Sequence, residues 1–518
     1  MNVLLSIAEF LVNEILAVPA FLIGIITAVG LGALGRGTGK VLGGALKATL
    51  GFLLIGAGAG LVSASLAPLG VMIQGATEAH GVVPTNEAIV GIAQEHYGSQ
   101  VAWLMILGYA VSLVLARFTP LRYVFLTGHH VLFMATLLTI VMATAGFDPW
   151  VVIIVGAVLL GILMVSLPAI AHPWTRRITG DDSVAIGHFG TSGYVAAGAV
   201  GKLVGGKGKK ASPSTEEMKL PEGLRFLRDS MVATALSMAL MYVVLAVLFI
   251  LRAGQTEAFT AFTGGATGVG NYLMQSVTQG LQFGVAVAVI LFGVRTILGE
   301  LVPAFQGIAE KVVLGAIPAL DCPIVFPYAQ NAVLIGFISS FVGGLVGLAV
   351  LSAWLNPVFG VALILPGLVP LFFHWWRGRR LWQCHRWSHR GALCGAFVNG
   401  LLITFLPAFL LGVLGTFGEA NTTFGDADFG WFGILIGGAA HSGKTVGLIL
   451  IVLIGIAILG HGLWSQKKLV ERNWDPAPHR SGGFGSADTG RDAGRQNIDA
   501  YPRIAPPQGA PVPPPPLG

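Results

Sequence analysis

Apolar runs of about twenty residues, separated by short polar or glycine-rich breaks, recur along the chain as far as about position 465. A helix that crosses a bilayer needs about twenty such residues. Qualifying runs lie at 10–33, 49–70, 101–117, 123–147, 150–172, 230–251, 272–296, 322–350, 356–374, 392–417 and 445–464. The pattern predicts an all-α polytopic membrane protein with about eleven transmembrane helices.

Two stretches do not fit as simple spans. Residues 184–205 (VAIGHFGTSGYVAAGAVGKLVG) are only moderately apolar and rich in glycine. Residues 300–321 (ELVPAFQGIAEKVVLGAIPALD) are amphipathic and carry Glu300, Glu310 and Lys311. Both are expected to be re-entrant or interfacial. Interrupted segments in two halves of a transporter point to its binding site. The segment 1–465 is therefore read as the transmembrane domain. Residues 466–518 hold ten prolines and end in APVPPPPLG, the composition of a disordered cytoplasmic tail.

Composition sharpens the class. Of the 518 residues, 54% are hydrophobic and 10% charged, and 73 are glycine. A soluble domain carries about 25% charged residues. The mean hydropathy is +0.78. These values exclude a soluble enzyme, a coiled coil and a nucleic-acid factor. The net charge of +6 reads as topology. Arg36, Lys40, Arg117, Arg122, Arg176, Arg177, Lys207, Arg225, Arg295 and Lys467 all fall on one side if the N-terminus is outside and the C-terminus cytoplasmic. The loop 76–100 falls on the other side, with Glu78, Glu87 and Glu95 and no Lys or Arg. The start of the chain has no basic segment and carries Glu9 and Glu14, so it is expected to be a retained span, not a cleaved signal peptide.

Ionisable groups inside membrane segments are costly and mark function by default. LTGHHVLF holds Thr127, Gly128, His129 and His130. Gly128 suggests a broken helix end whose free N–H groups meet a ligand; helix-packing histidines are the plainer alternative. AIGHFGTSGY holds His188, Thr191 and Ser192, with glycines that permit close backbone approach. IPALDCPIVFPYAQNAV centres on Asp321, either a helix N-cap or a hydroxyl acceptor for a ligand. GVVPTNEAIV carries Thr85, Asn86 and Glu87, also a good helix start. Cys322, Cys384 and Cys394 show no metal spacing and no disulfide framework. The chain reads as carrying no P-loop and no cassette signature, and no cofactor, metal or catalytic residue is expected.

These four sites occur in the same order in one known family. The chain resembles the membrane component, enzyme IIC, of the bacterial ascorbate-specific phosphotransferase system. The resemblance rests on GFLLIGAGAGLVSAS (51–65), LRYVFLTGHH (121–130), AIGH (185–188), GVRTILGELVPAFQGIA (293–309), GAIPALDC (315–322), QNAVLIGF (330–337) and LILPGLVPLFF (363–373). It implies a plasma-membrane homodimer, each protomer with a dimerising scaffold domain and a sugar-holding core domain that alternate access. It implies L-ascorbate or a related acidic or polyhydroxylated sugar as substrate. Phosphate would come from a cysteine on a separate IIB protein, charged by a IIA protein. An ion- or proton-coupled permease of the same fold is the alternative. Carried over by position, the substrate contacts are Asn86, Glu87, His129, His130, Phe133, His188, Phe189 and Asp321. Asn86 and Glu87 differ in type from the family, and Phe133 and Phe189 stand where characterised ascorbate carriers have glutamines.

One stretch departs from the family. Residues 374–391 read HWWRGRRLWQCHRWSHRG, where the family has small residues. A basic loop with an aromatic belt accounts for it plainly. Dropping one nucleotide from the back-translation instead permits T-G-G-A-G-V-V-F-G-N-A-T-G-G, with several glycines forced by the tryptophan codons. A compensated frameshift is the sharper reading. It predicts that resequencing the coding DNA here shows two offsetting single-nucleotide changes; an intact frame in independent reads would overturn it.

Overall fold

The computed structural model describes residues 18–180, 182–204, 230–322, 324–325, 330–366 and 389–476. Most of the 374–391 stretch and the tail beyond 476 lie outside these residues. In chain order the principal elements are α1 (Pro19–Ala33), α2 (Thr38–Thr77), β1 (Gly81–Pro84), α3 (Asn86–Phe118), β2 (Tyr123–Phe125), α4 (Gly128–Ala143), α5 (Pro149–Thr179), β3 (Ala185–Ile186) and α6 (Thr191–Val204). They continue as α7 (Ser230–Ala253), α8 (Val269–Val312), β4 (Ile317–Leu320), α9 (Gln330–Val350), β5 (Leu363–Ile364), α10 (His389–Leu410), β6 (Thr422–Thr423), α11 (Ala427–Ala440) and α12 (Lys444–Ser465).

The chain is an all-α, multi-pass membrane protein. Among the described residues, eight helices (α2, α3, α5, α7, α8, α9, α10 and α12) are long and apolar enough to cross a bilayer. Helices α1, α4 and α11 are apolar but shorter. Helix α5 shows why such elements start and stop where they do. Pro149 sits at its first position, and Gly180 ends it in the left-handed conformation at φ 74°. Outward-facing apolar side chains on α12, such as Ile449, Leu453 and Ile456, suit lipid.

Three segments depart from the sequence expectation. The run at 356–374 is not a simple span where it is described. A single turn, Asn356–Phe359, closes at Gly360 (φ 64°), and the chain then forms β5. The segment at 300–321 is not a separate element along its whole length, because α8 runs unbroken into it as far as Val312 and β4 follows. Lys47 of α2 pairs with Glu300 of α8 at 2.7 Å. Helix α11 was not among the expected runs, because Asp426 and Asp428 interrupt its apolar character. The stretch GAAHSGKT, Gly438–Thr445, has the GxxxxGKT spacing of a P-loop, which the sequence reading passed over. It forms the turn between α11 and α12, with no preceding strand to make the strand–loop–helix cradle.

Two small sheets were not foreseen. One has the order β5-β1-β6 and the other β2-β4-β3, and every pairing is parallel. The registers set Val82 opposite Ile364, Val83 opposite Thr422, Val124 opposite Pro318 and Ala185 opposite Ala319. Strand β1 is buried throughout. Where a buried chain leaves a helix, its N–H and C=O groups still need partners. Strands from distant parts of the sequence supply them to one another.

Helix packing relies on small residues. Helix α8 lies along α2 and α7, and α1 lies along α2. A Cβ on Gly51 of α2 would lie 2.7 Å from the Gly293 carbonyl oxygen of α8. The two backbones therefore touch, as small residues allow in membrane helices. Residues 466–476 fold back on β2 and α5: Tyr123 of β2 donates its hydroxyl to Gln466 Oε1 at 2.8 Å, and Arg176 of α5 donates to the Val470 carbonyl and Asn473 Oδ1, each at 3.1 Å. Replacing Gly51 by leucine is expected to destabilise the protein by about 1–3 kcal/mol. The check is thermal unfolding in detergent, where an unchanged Tm would show that α2 and α8 do not pack this way.

Candidate substrate site

The strands deliver the predicted polar residues to one place. Strand β2 ends at Phe125; Leu126 donates its N–H to the Ala319 carbonyl at 2.9 Å, and α4 begins at Gly128 with His129 and His130. A Cβ on Gly128 would strike the Leu298 side chain of α8, so a larger residue would push this helix start away. Strand β3 leads through Gly187, whose N–H donates to the Leu320 carbonyl at 2.8 Å, to His188. A Cβ on Gly187 would sit 2.6 Å from the Ala319 carbonyl oxygen, so only glycine fits. Strand β4 between them ends at Leu320, directly before Asp321.

Asp321 is the hub. His129 Nε2 lies 3.5 Å from its Oδ2 and His188 Nε2 lies 3.9 Å from its Oδ1. The Cys322 backbone N–H donates to Oδ1 at 2.7 Å. The sequence left Asp321 open between helix cap and ligand group; it caps no long helix directly and stands beside two histidines. The Tyr194 hydroxyl lies 2.8 Å from His188 Nδ1. His130 packs between rings, its centroid 3.6 Å from that of His188 and 5.7 Å from that of Phe429, nearly parallel to the latter at 11°. The Phe189 N–H points at His130 Nδ1 at 3.4 Å.

Phe133 and Phe189 are both buried. Phe189 stacks on Phe125 at 5.0 Å, and both Phe133 and Phe189 adjoin Phe429, at 6.5 and 5.9 Å. They form an aromatic wall, not a set of hydrogen-bonding groups.

The fourth site joins through residues the sequence reading missed. Asn86 donates from Nδ2 to Asp426 Oδ2 at 2.6 Å and accepts the Gly425 N–H at 2.8 Å. Asp426 in turn shares a neighbourhood with His130 and His188, with one potential ligand atom of each within 4.8 Å of the others. Asp428 accepts the Ser192 N–H at 2.9 Å and donates its own N–H to the Phe189 carbonyl at 3.2 Å. Glu87 is buried, and its Oε2 has no hydrogen-bond partner among the described residues. The available signal was the paired acids of GDADFG inside an apolar stretch, which intramembrane cost makes conspicuous.

The structure thus gathers His129, His130, Phe133, His188, Phe189 and Asp321 into one cluster, and ties Asn86 to it through Asp426. The sequence model of the PTS system sugar-specific permease component family matches residues 14–428. The chain belongs to this family. A curated relative, the ascorbate-specific PTS system EIIC component of Mycoplasma pneumoniae, is 26% identical over 389 residues. That alignment covers 67% of this chain and 57% of the relative. The matched family segment includes all eight expected contact positions of this permease-family chain and ends at Asp428.

The bridge from Asn86 is open to test. Asn86→Leu leaves Asp426 Oδ2 and the Gly425 N–H unsatisfied, at a cost of about 1–3 kcal/mol for each buried group. Thermal unfolding of the purified variant should show a clearly lowered Tm; a wild-type Tm would remove Asn86 from the framework of the site.

Proposed function

We propose that the chain is a sugar permease that carries L-ascorbate, or a closely related acidic or polyhydroxylated sugar, and presents it for phosphorylation by a separate IIB protein. The observation that supports this most is the placement of Asp321 between His129 and His188 at the ends of paired strands. One carboxylate flanked by two imidazoles offers acceptors and donors to several hydroxyls at once. Asn86, Glu87 and His130 complete the polar contacts, and Phe133 and Phe189 provide apolar surface for the carbon face of the sugar. The family membership and the name of the Mycoplasma relative point to the same ligand class.

In this reading the IIB cysteine donates the phosphoryl group, and a IIA protein recharges it. The permease positions the sugar hydroxyl for in-line attack, which is most of what phosphoryl transfer asks of a protein. The working form is a homodimer in the bacterial plasma membrane, with its N-terminus outside and its C-terminus cytoplasmic. The scaffold dimerises while the core domain, carrying the site, moves to alternate access.

The test is uptake of labelled L-ascorbate into vesicles, with and without phosphorylated IIB. Accumulation as the phosphate only with the partner is the expected result. Partner-independent uptake would instead identify an ion-coupled permease, a reading that the additional buried acids Asp426 and Asp428 favour. His129→Ala and Asp321→Asn should each reduce uptake to background while leaving the oligomer intact; normal uptake by both would refute the site.

A further inference from the structure

The sugar reading uses His188 and Asp321 as hydrogen-bonding groups and gives Cys322 no task. The three nonetheless lie together, with one potential ligand atom of each within 4.8 Å of the others. Asp321 Oδ1 is 3.9 Å from His188 Nε2 and accepts from Cys322 Sγ at 3.1 Å. We propose that His188, Asp321 and Cys322 form a binding site for a divalent transition-metal ion of the zinc or cobalt class, with the fourth position open to water.

Ligand type argues for this class. A nitrogen, a carboxylate oxygen and a sulfur match zinc-like ions, and sulfur argues against magnesium or calcium. Ligands on a tetrahedral ion with bonds of about 2.0–2.3 Å stand roughly 3.3–3.7 Å apart. Each atom therefore has only about 1 Å to move. Strand pairing places the backbone of all three, since Asp321 and Cys322 follow β4 directly and His188 follows β3 by one glycine. The supporting contacts are also in place. Tyr194 holds His188 at Nδ1, which turns Nε2 toward Asp321, and the Cys322 N–H holds Asp321. Metal-bound histidines and carboxylates are oriented by such partners. Asp321 is 35% exposed, so an ion has a way in, while His188 is fully buried.

Binding breaks the Cys322 S–H bond and forms a sulfur–metal bond, and the proton leaves to solvent. Thiolate and carboxylate together balance the two positive charges, with no change of oxidation state. If the sugar reading holds, the ion withdraws Asp321 and His188 from the sugar and so inhibits uptake. The test does not depend on that reading, because its readout is the metal.

The experiment is titration of the purified full-length protein with cobalt(II), followed by near-ultraviolet absorption and proton release. The expected result is one cobalt and one proton per chain, with a sulfur-to-cobalt charge-transfer band. Cys322→Ser should abolish the band and weaken binding roughly 10-fold or more, since even the partners behind a ligand are worth that much. The double variant Cys384→Ser/Cys394→Ser leaves the site untouched and Cys322 as the only thiol, so it must keep both band and affinity. Absence of cobalt binding, a band that survives Cys322→Ser, or loss of the band in the double variant would each overturn the proposal.

Discussion

The structure depends on one constraint: a backbone that leaves a helix inside a buried region must find other partners for its N–H and C=O groups. Water is not there to take them. This chain meets the constraint with two parallel three-stranded sheets, each assembled from segments far apart in sequence. Strand β1 pairs with strands that follow it by more than two hundred residues, and β4 draws β2 and β3 to its two edges. Each pairing closes a break and also fixes where the next residue stands. His188, Asp321, Asn86 and Asp426 all follow a strand by one to three residues. The site is thus a consequence of how the breaks are satisfied.

Charge is handled by the same economy. Glu87, Asp426 and Asp428 are buried, and a buried carboxylate is tolerated only when it is hydrogen-bonded or relieved of its charge. Asn86 serves Asp426, and the Ser192 N–H serves Asp428. These bonds do structural work as well: the first ties the ends of β1 and β6 within one sheet, and the second links the segment after β6 to the segment after β3 of the other sheet. The aromatic residues Phe125, Phe189, Phe424 and Phe429 fill the space between with stacked and tilted rings. Polar contacts thus line one side of the cluster and aromatic rings the other.

Much of this was legible from the chain alone. Runs such as 49–70 and 150–172 could only be spans, and His129, His188 and Asp321 stood out because such groups are expensive among apolar neighbours. The sheets were not legible. A run of two to four strand residues carries no usable period, and β5 could not be told from the helical run around it. Asp426 and Asp428 were missed because a short helix bearing two acids falls below the threshold for a span. The metal-type grouping at Cys322 was invisible for another reason. Ligand spacing in sequence reports only local sites, whereas His188 and Cys322 meet through strand pairing across 134 positions.

The central claim is that the ends of both sheets hold one ligand. Equilibrium binding of L-ascorbate to the purified protein, by calorimetry, tests it most directly when wild type is compared with Glu87→Gln and Asp321→Asn. Glu87 follows the first sheet and Asp321 the second. The account predicts one saturable site per chain, weakened about tenfold or more by either change, as expected where a buried polar contact worth about 1–3 kcal/mol is lost. Binding that responds to only one of the two residues, or to neither, would contradict it.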